Sequence, residues 1–337
     1  MHMRTLMGVA VSAAALLAVS PSSKAEEAKL VFATTNPPQV HLNREILTPW
    51  AEAINKDGKD VISIDIRHGP TVANHTNYFD RVMSDVVQIA WGLQVVLGPR
   101  FELTSGLGLP FVVTEGEAGS TAFWRLYERG DLGAEYEDVQ PLFMITFPPN
   151  SFHLRNEPKS LDNLKGLKIT NSNRYLGKWM QSLGAAPISI VISEAYEAIQ
   201  RGTADGVLVP FTAFQPFKLA EVTDYSILAP AGANTAWVFM SKKKFNGLPA
   251  KARDLVMSHS GEAQSRKFGV FWDRQEQNGR DLATKGNGKI LSLNPEQEAK
   301  WKELAEAVNK EWAAEVPGGA ELLAKFKAEE AKVKSGS

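Results

Sequence analysis

Residues 161–174 read LDNLKGLKITNSNR. Leu167, Lys168 and Ile169 read as the end of a short strand, and Thr170, Asn171, Ser172 and Asn173 follow it as four small polar residues. The chain then alternates in a regular way. Tyr175–Leu183 has helical character, Pro187–Val191 reads as a strand, Glu194–Gln200 as a helix and Gly206–Pro210 (GVLVP) as a strand. A strand–helix–strand–helix order builds a parallel sheet with helices on its faces. In open α/β sheets ligands sit outside the carboxyl ends of the strands, so the polar run from Thr170 to Asn173 is a candidate ligand-facing edge.

The same grammar occurs upstream. Lys29–Thr34 (KLVFAT) reads as a strand, and Leu42, Ile46, Trp50 and Ile54 recur every four residues as one apolar helix face. Thr48-Pro49 inside that run has the form of a helix start, with Thr as cap and Pro in the first turn. Val61–Arg67 alternates strictly, with Ile62, Ile64 and Ile66 against Ser63, Asp65 and Arg67, which predicts a strand buried on one face. Tyr78–Val86 predicts a helix and Val87–Trp91 another strand. The expected fold is therefore α/β, in two lobes. Its strand-end residues are Asn36, Trp91, Thr170–Asn173 and Val209.

Two segments suggest interwoven lobes. Ala236–Ser241 (AWVFMS) is an extended apolar run placed after the second lobe's strands. Leu248-Pro249 then opens about thirty-five proline-free residues, to Lys285. A single helix of that length would reach about 50 Å, enough to span both lobes. The expected organisation is a signal peptide over 1–25 and a first lobe over 26–149. A second lobe covers 150–238, and a returning segment of the first lobe with the long helix covers 239–280. Residues 281–337 are expected to be helices packed on the second lobe, ending in a frayed tail.

Composition narrows the function classes. Met1-His2-Met3-Arg4, an apolar run from Leu6 to Val19, and Ser23-Lys24-Ala25 before Glu26 make an export signal too short to span a membrane. Without residues 1–25, Lys+Arg falls from 37 to 35 against 38 acids, a net charge of −3. No basic tract stands out, so no nucleic-acid partner is expected. Cysteine is absent, which removes thiol chemistry and is compatible with a bacterial periplasm. There is no HExxH, GxSxG, P-loop or GxGxxG pattern. His41 and Glu45 stand at metal-ligand spacing on a helix, but nothing else nearby completes a set. No metal, cofactor or catalytic residue is expected.

Ser160–Thr170 (SLDNLKGLKIT), Ser193–Gly206 (SEAYEAIQRGTADG), Leu107–Phe111 (LGLPF) and Phe245–Pro249 (FNGLP) resemble signatures of the DctP-type receptors of tripartite ATP-independent periplasmic (TRAP) transporters. The resemblance runs through the mature chain in order. It implies an α/β, two-lobed periplasmic-binding-protein-like fold with crossing segments, a long helix spanning both lobes, and hinge closure on a ligand, most often an organic acid. It also implies a monomeric receptor that delivers the solute to a small and a large membrane subunit, driven by an ion gradient, commonly sodium. A receptor of this fold for an ABC importer or a sensor kinase, and a secreted enzyme on the same scaffold, are the competing readings.

The resemblance also places an arginine that clamps a carboxylate at the position of Thr170, an asparagine at Val209, and a second arginine near Ser151–His153. A charge-assisted hydrogen bond contributes about 1.5–3 kcal/mol, and a carboxylate buried without compensation is costly. Either Arg174, Arg155 or His153 replaces the missing cation, or the ligand is less charged and more apolar. In the second case Trp91, Val209 and Trp237 would form its walls. Asn173, Asn234, His41 and Asn74 complete the candidate contacts.

Overall fold

The computed structural model describes residues 27–171 and 173–336. The expected export signal, residues 1–25, and Ser172 of the polar strand end lie outside the described residues.

The chain opens with β1 (Ala28–Thr34), whose Leu30 and Phe32 are buried. Helix α1 (Thr48–Asp57) starts at Thr48 with Pro49 in its first turn, but Thr48 is not its cap. A wider, π-type segment over Asn43–Leu47 leads into it without a break. Pro49 has no N–H to give and its ring would crowd a carbonyl four residues back, and the widened turn accommodates both. Leu42, Ile46, Trp50 and Ile54 all point into the core. β2 (Ile62–His68), α2 (Tyr78–Met83) and β3 (Ile89–Leu93) follow, then α3 (Gly116–Glu128) and β4 (Val139–Thr146). β4 is covered on both faces, so it shows no alternation that periodicity could read.

The second sheet begins at β5 (Ser151–Leu154) and continues through β6 (Lys168–Thr170), α4 (Arg174–Ser182), β7 (Ala186–Ile188), α5 (Ile192–Gln200) and β8 (Gly206–Val209). The short α6 (Phe214–Phe217) and β9 (Tyr225–Leu228) close this part. β10 (Thr235–Ser241) then returns to the first sheet, followed by α7 (Lys242–Gly247), α8 (Ala250–Ser258) and α9 (Gly261–Ala283). β11 (Lys289–Ser292) joins the second sheet, and α10 (Pro295–Glu315) and α11 (Gly319–Lys334) end the chain.

The sheet orders are β2-β1-β3-β10-β4 and β11-β9-β5-β8-β6-β7. β1, β2 and β3 run parallel, and so do β6, β7 and β8. β10 runs against both its neighbours, as does β5. This direction has a geometric cause. β4 leaves the first sheet at the carboxyl ends of the parallel strands, and β5 enters the second sheet at that sheet's carboxyl edge, so it must run backwards. β9 to β10 makes the same passage in reverse. The two carboxyl edges therefore face each other, with the crossing segments 147–150 and 231–234 between them. These segments pair through Phe147 N–H to the Asn234 carbonyl (2.9 Å), Asn150 N–H to the Gly232 carbonyl (2.7 Å) and Ala231 N–H to the Asn150 carbonyl (3.1 Å).

Three expectations change. The whole of β10 lies in the first sheet, so the lobe boundary falls in the 231–234 crossing and not at 238. The extended pattern alone could not say which sheet it joins. The proline-free stretch is not one helix. His259 and Ser260 separate α8 from α9, and Gly261 at φ +79° takes a backbone conformation that helices exclude. Finally, only α10 packs on the second lobe, through Trp301, Ala305 and Val308. α11 returns to the first, where Leu322 and Phe326 enter its core and Glu330 accepts from Thr114 N–H at 2.8 Å. The expected frayed tail is helical to Lys334.

α9 still spans both lobes. At 23 residues it is about 34 Å long. Gly269 lets it approach α3, where a Cβ would lie 2.4 Å from the Gly116 carbonyl oxygen. Gly279 does the same against the second lobe, where a Cβ would lie 2.0 Å from the Phe211 carbonyl oxygen.

Candidate ligand cleft

On the second lobe, the carboxyl ends of β6, β7 and β8 supply the edge. Thr170 ends β6 and is buried. The Asn171 side chain closes a turn onto Asn173, accepting from Asn173 N–H (2.9 Å) and donating to the Asn173 carbonyl (2.7 Å). Asn173 is the N-cap of α4, its side-chain oxygen accepting from Tyr175 N–H (2.9 Å) and Leu176 N–H (3.1 Å). These bonds satisfy helix-end donors. The neighbouring strand ends are aliphatic. Val209, Ile188 and Ile190 are half-buried against the lobe's core, and Val191 is exposed.

On the first lobe, the edge is aromatic. Phe147, just past β4, meets Trp272 of α9 with ring centroids 4.4 Å apart. Trp91 of β3 is buried on the same face of the sheet, and His75 lies edge-on to it at 5.9 Å. Thr35 Oγ1 is 3.2 Å from His75 Nε2. Burial holds the His75 imidazole below its usual range, so it is neutral at physiological pH. Phe147, Trp272 and His75 were not among the candidates from sequence. The Pro148-Pro149 pair that marks the crossing beside Phe147 was the available signal.

The three cations offered as replacements for the family arginine are all engaged elsewhere. His153 is fully buried. Its Nε2 donates to the Val209 carbonyl at 3.0 Å and its Nδ1 accepts from Ser226 Oγ at 2.8 Å. Phe211 and Phe214 pack edge-on to it. Burial takes its pKa down to about 3 despite the Val209 carbonyl, which favours the charged form. It is a neutral core residue with no nitrogen left for a ligand. Arg155 donates to the carbonyls of Ile199 and Gln200 at 3.1 Å each, capping α5. Arg174 is exposed and pairs with Glu315 of α10 at 3.3 Å.

Trp237 is not a pocket wall. It stacks on Phe239 at 4.1 Å deep in the first lobe and donates to Tyr78 Oη at 3.3 Å. Asn74 closes a turn by accepting from Thr76 and Asn77 N–H. His41 bonds Glu45 at 3.0 Å, and Glu45 also pairs with Arg274 of α9. Asn234 lies half-buried on the crossing itself. Among the described residues no group of three or more metal-ligating side chains exists.

The brace carries one buried acid. Glu276 of α9 accepts from Thr212 N–H at 3.2 Å, with Arg280 at 3.8 Å. Burial raises its pKa to about 7 against the opposing pull of Arg280 and the Thr212 and Phe211 amides. A concavity of about 280 Å³ opens beside the hinge among Thr114, Pro149, Ser151, Pro230 and Arg280. Its further lining residues Leu228 and Ser292 belong to β9 and β11.

Two α/β lobes, facing carboxyl edges and paired crossings between them define a two-lobed solute receptor. The chain belongs to the bacterial extracellular solute-binding proteins, family 7 (DctP), whose family model matches residues 32–315. It is 28% identical over 279 residues to the protein described as the outer membrane transporter protein TsaT of Comamonas testosteroni, covering 81% of this chain and 82% of that one. It is 26% identical over 347 residues to the C4-dicarboxylate-binding periplasmic protein DctP of Rhodobacter capsulatus, covering 96% and 98%. A TRAP solute-binding protein of Rhodoferax ferrireducens T118, solved with copurified benzoate, superposes with a TM-score of 0.82 at 25% identity, over 92% of this chain and 99% of that one. No helix among the described residues is long and apolar enough to cross a membrane.

Proposed function

We propose that this protein captures an aromatic or otherwise hydrophobic carboxylic acid in the cleft between its lobes and delivers it, chemically unchanged, to the small and large membrane subunits of a TRAP transporter. It acts as a monomer in the periplasm, exported by residues 1–25. One observation carries the reading of the ligand. The cleft edges are aromatic and aliphatic (Phe147, Trp272, Val209, Ile188 and Ile190), while Thr170 stands where the resemblance puts a cation and the three alternative cations are bound elsewhere. A slot lined this way rewards a ring more than a second charge. The benzoate found in the Rhodoferax protein supports the same ligand class.

The test is mass spectrometry of the solute that copurifies with the protein, followed by thermal melts with a panel of acids. Benzoate, 3-hydroxybenzoate and phenylacetate should raise the melting temperature, and succinate should not. Stabilisation by short dicarboxylates alone would overturn this reading.

A further inference from the structure

The chain has eight tryptophans. Five of their indole N–H groups donate to protein partners: Trp50 to the His259 carbonyl, Trp179 to the Trp301 carbonyl, Trp237 to Tyr78 Oη, Trp301 to the Leu161 carbonyl and Trp312 to Ser105 Oγ. Trp91 Nε1 and Trp272 Nε1 are buried and have no partner. Only one other buried side-chain nitrogen among the described residues shares that condition, His75 Nδ1, and its ring lies against Trp91. The remaining buried atoms without partners are oxygens: Asn43 Oδ1, Gln94 Oε1, Thr146 Oγ1, Asn150 Oδ1 and Asn309 Oδ1. An unmet N–H is rarer and costlier than a carbonyl with a spare lone pair. Trp91 and Trp272 share one apolar cluster of the first lobe, and His75 joins it through its ring contact with Trp91.

An indole N–H can only donate. When Thr35 Oγ1 donates to His75 Nε2, the ring proton sits on Nδ1 and the third nitrogen is a donor too. Whatever satisfies the set is an acceptor, and a carboxylate, with two oxygens and several lone-pair sites, can take more than one of these bonds. A carboxylate that accepts two or three N–H groups is held ionised without a neighbouring cation. On the opposite side the strand ends of the second lobe are aliphatic at Ile188, Ile190, Val191 and Val209.

We propose that this receptor holds its ligand's carboxylate from the first lobe and α9, on the neutral donors Trp91 Nε1, Trp272 Nε1 and His75 Nδ1, and packs the ligand's ring against the second lobe. The polarity is the reverse of a clamp placed at position 170. The inference rests on the aromatic-acid reading above. It makes Trp91 and Trp272 determinants of specificity for a monoanion with one apolar end, and it explains how Thr170 is tolerated.

The test measures benzoate binding by calorimetry to the wild-type protein and to Trp91→Phe and Trp272→Phe, which keep an aromatic ring and remove the N–H. Each variant should bind benzoate about tenfold or more weakly, the effect of losing one charge-assisted bond. Each should still unfold cooperatively above the assay temperature without ligand: the smaller ring lowers the melt, but the N–H removed takes no protein hydrogen bond with it. In ¹⁵N spectra two of the indole signals, identified by their loss in the two variants, should move downfield when benzoate is added. Wild-type affinity in both variants, or indole signals that stay in place while benzoate binds, would overturn this orientation and leave the receptor reading intact. Failure of the wild-type protein to bind benzoate or any other aromatic acid would remove both.

Discussion

His153 and Glu276 show how burial decides what a single side chain can do. His153 was a candidate cation because histidine titrates near neutrality, yet its folded-state pKa of about 3 keeps it uncharged. Stability from that group is present above its ordinary value of about 6.5 and falls as the pH drops toward 3. Glu276 has the opposite sign. Its folded pKa, about 7, lies above the ordinary carboxylate value. The folded state therefore binds more protons between about pH 4.5 and 7, and stability falls as pH rises through that window. Glu276→Gln keeps an acceptor for Thr212 N–H and removes the titration. Denaturant unfolding should find the variant close to wild type at pH 5 and more stable at pH 8, by about 1–2 kcal/mol after allowance for the Arg280 contact. A parallel pH dependence in the two proteins would show that Glu276 is not the group responsible. The site was least legible at this scale: only the family resemblance pointed to an arginine at the position of Thr170, and whether Arg174, Arg155 or His153 was free depended on partners such as Glu315, Gln200 and Ser226, which no local pattern exposes.

Among the elements, α9 ties the lobes most directly, and two glycines make its fit possible. In an exposed helix, Gly→Ala is favourable by about 1 kcal/mol. At Gly279 the added methyl would meet the Phe211 carbonyl at 2.0 Å, backbone that cannot turn away as a side chain would. Gly279→Ala should therefore destabilise the protein by about 1–3 kcal/mol, the usual effect of overpacking. It should also shrink the melting-temperature rise that an aromatic acid produces, because the contact it disturbs lies between the lobes. A stabilised variant would mean that the segment after β8 shifts freely against α9. Most elements were legible because their apolar residues recur with a helix or strand period, as in Leu42–Ile54 and Val61–Arg67. β4 was not, since a strand covered on both faces carries no alternation, and neither was the break at Ser260-Gly261, which needs no proline.

At the scale of the whole molecule, the facing carboxyl edges and paired crossings describe a hinge. The segments 147–150 and 231–234 can twist together, because two connecting segments held by a few backbone hydrogen bonds bend more easily than the packed lobes they join. α9 limits that motion, as it touches α3 on one side and Phe211 on the other. A ligand that contacts both lobes favours the closed form by the difference in its affinity for the two states. Solution scattering should show a monomer whose radius of gyration decreases when a stabilising aromatic acid is added. An unchanged radius at saturation would mean that binding does not move the lobes.

Most of the helices and strands and the presence of two α/β lobes are contained in the sequence alone, because hydrophobic period and local motif record which faces are buried and which turns are made. The sheet that receives β10, the return of α11 to the first lobe, the engagement of every candidate cation, and the meeting of Phe147 with Trp272 beside indole N–H groups without partners were decided only by the tertiary structure. Each depends on groups far apart in the chain arriving at one place, and periodicity carries no information about which distant partner a buried face will find.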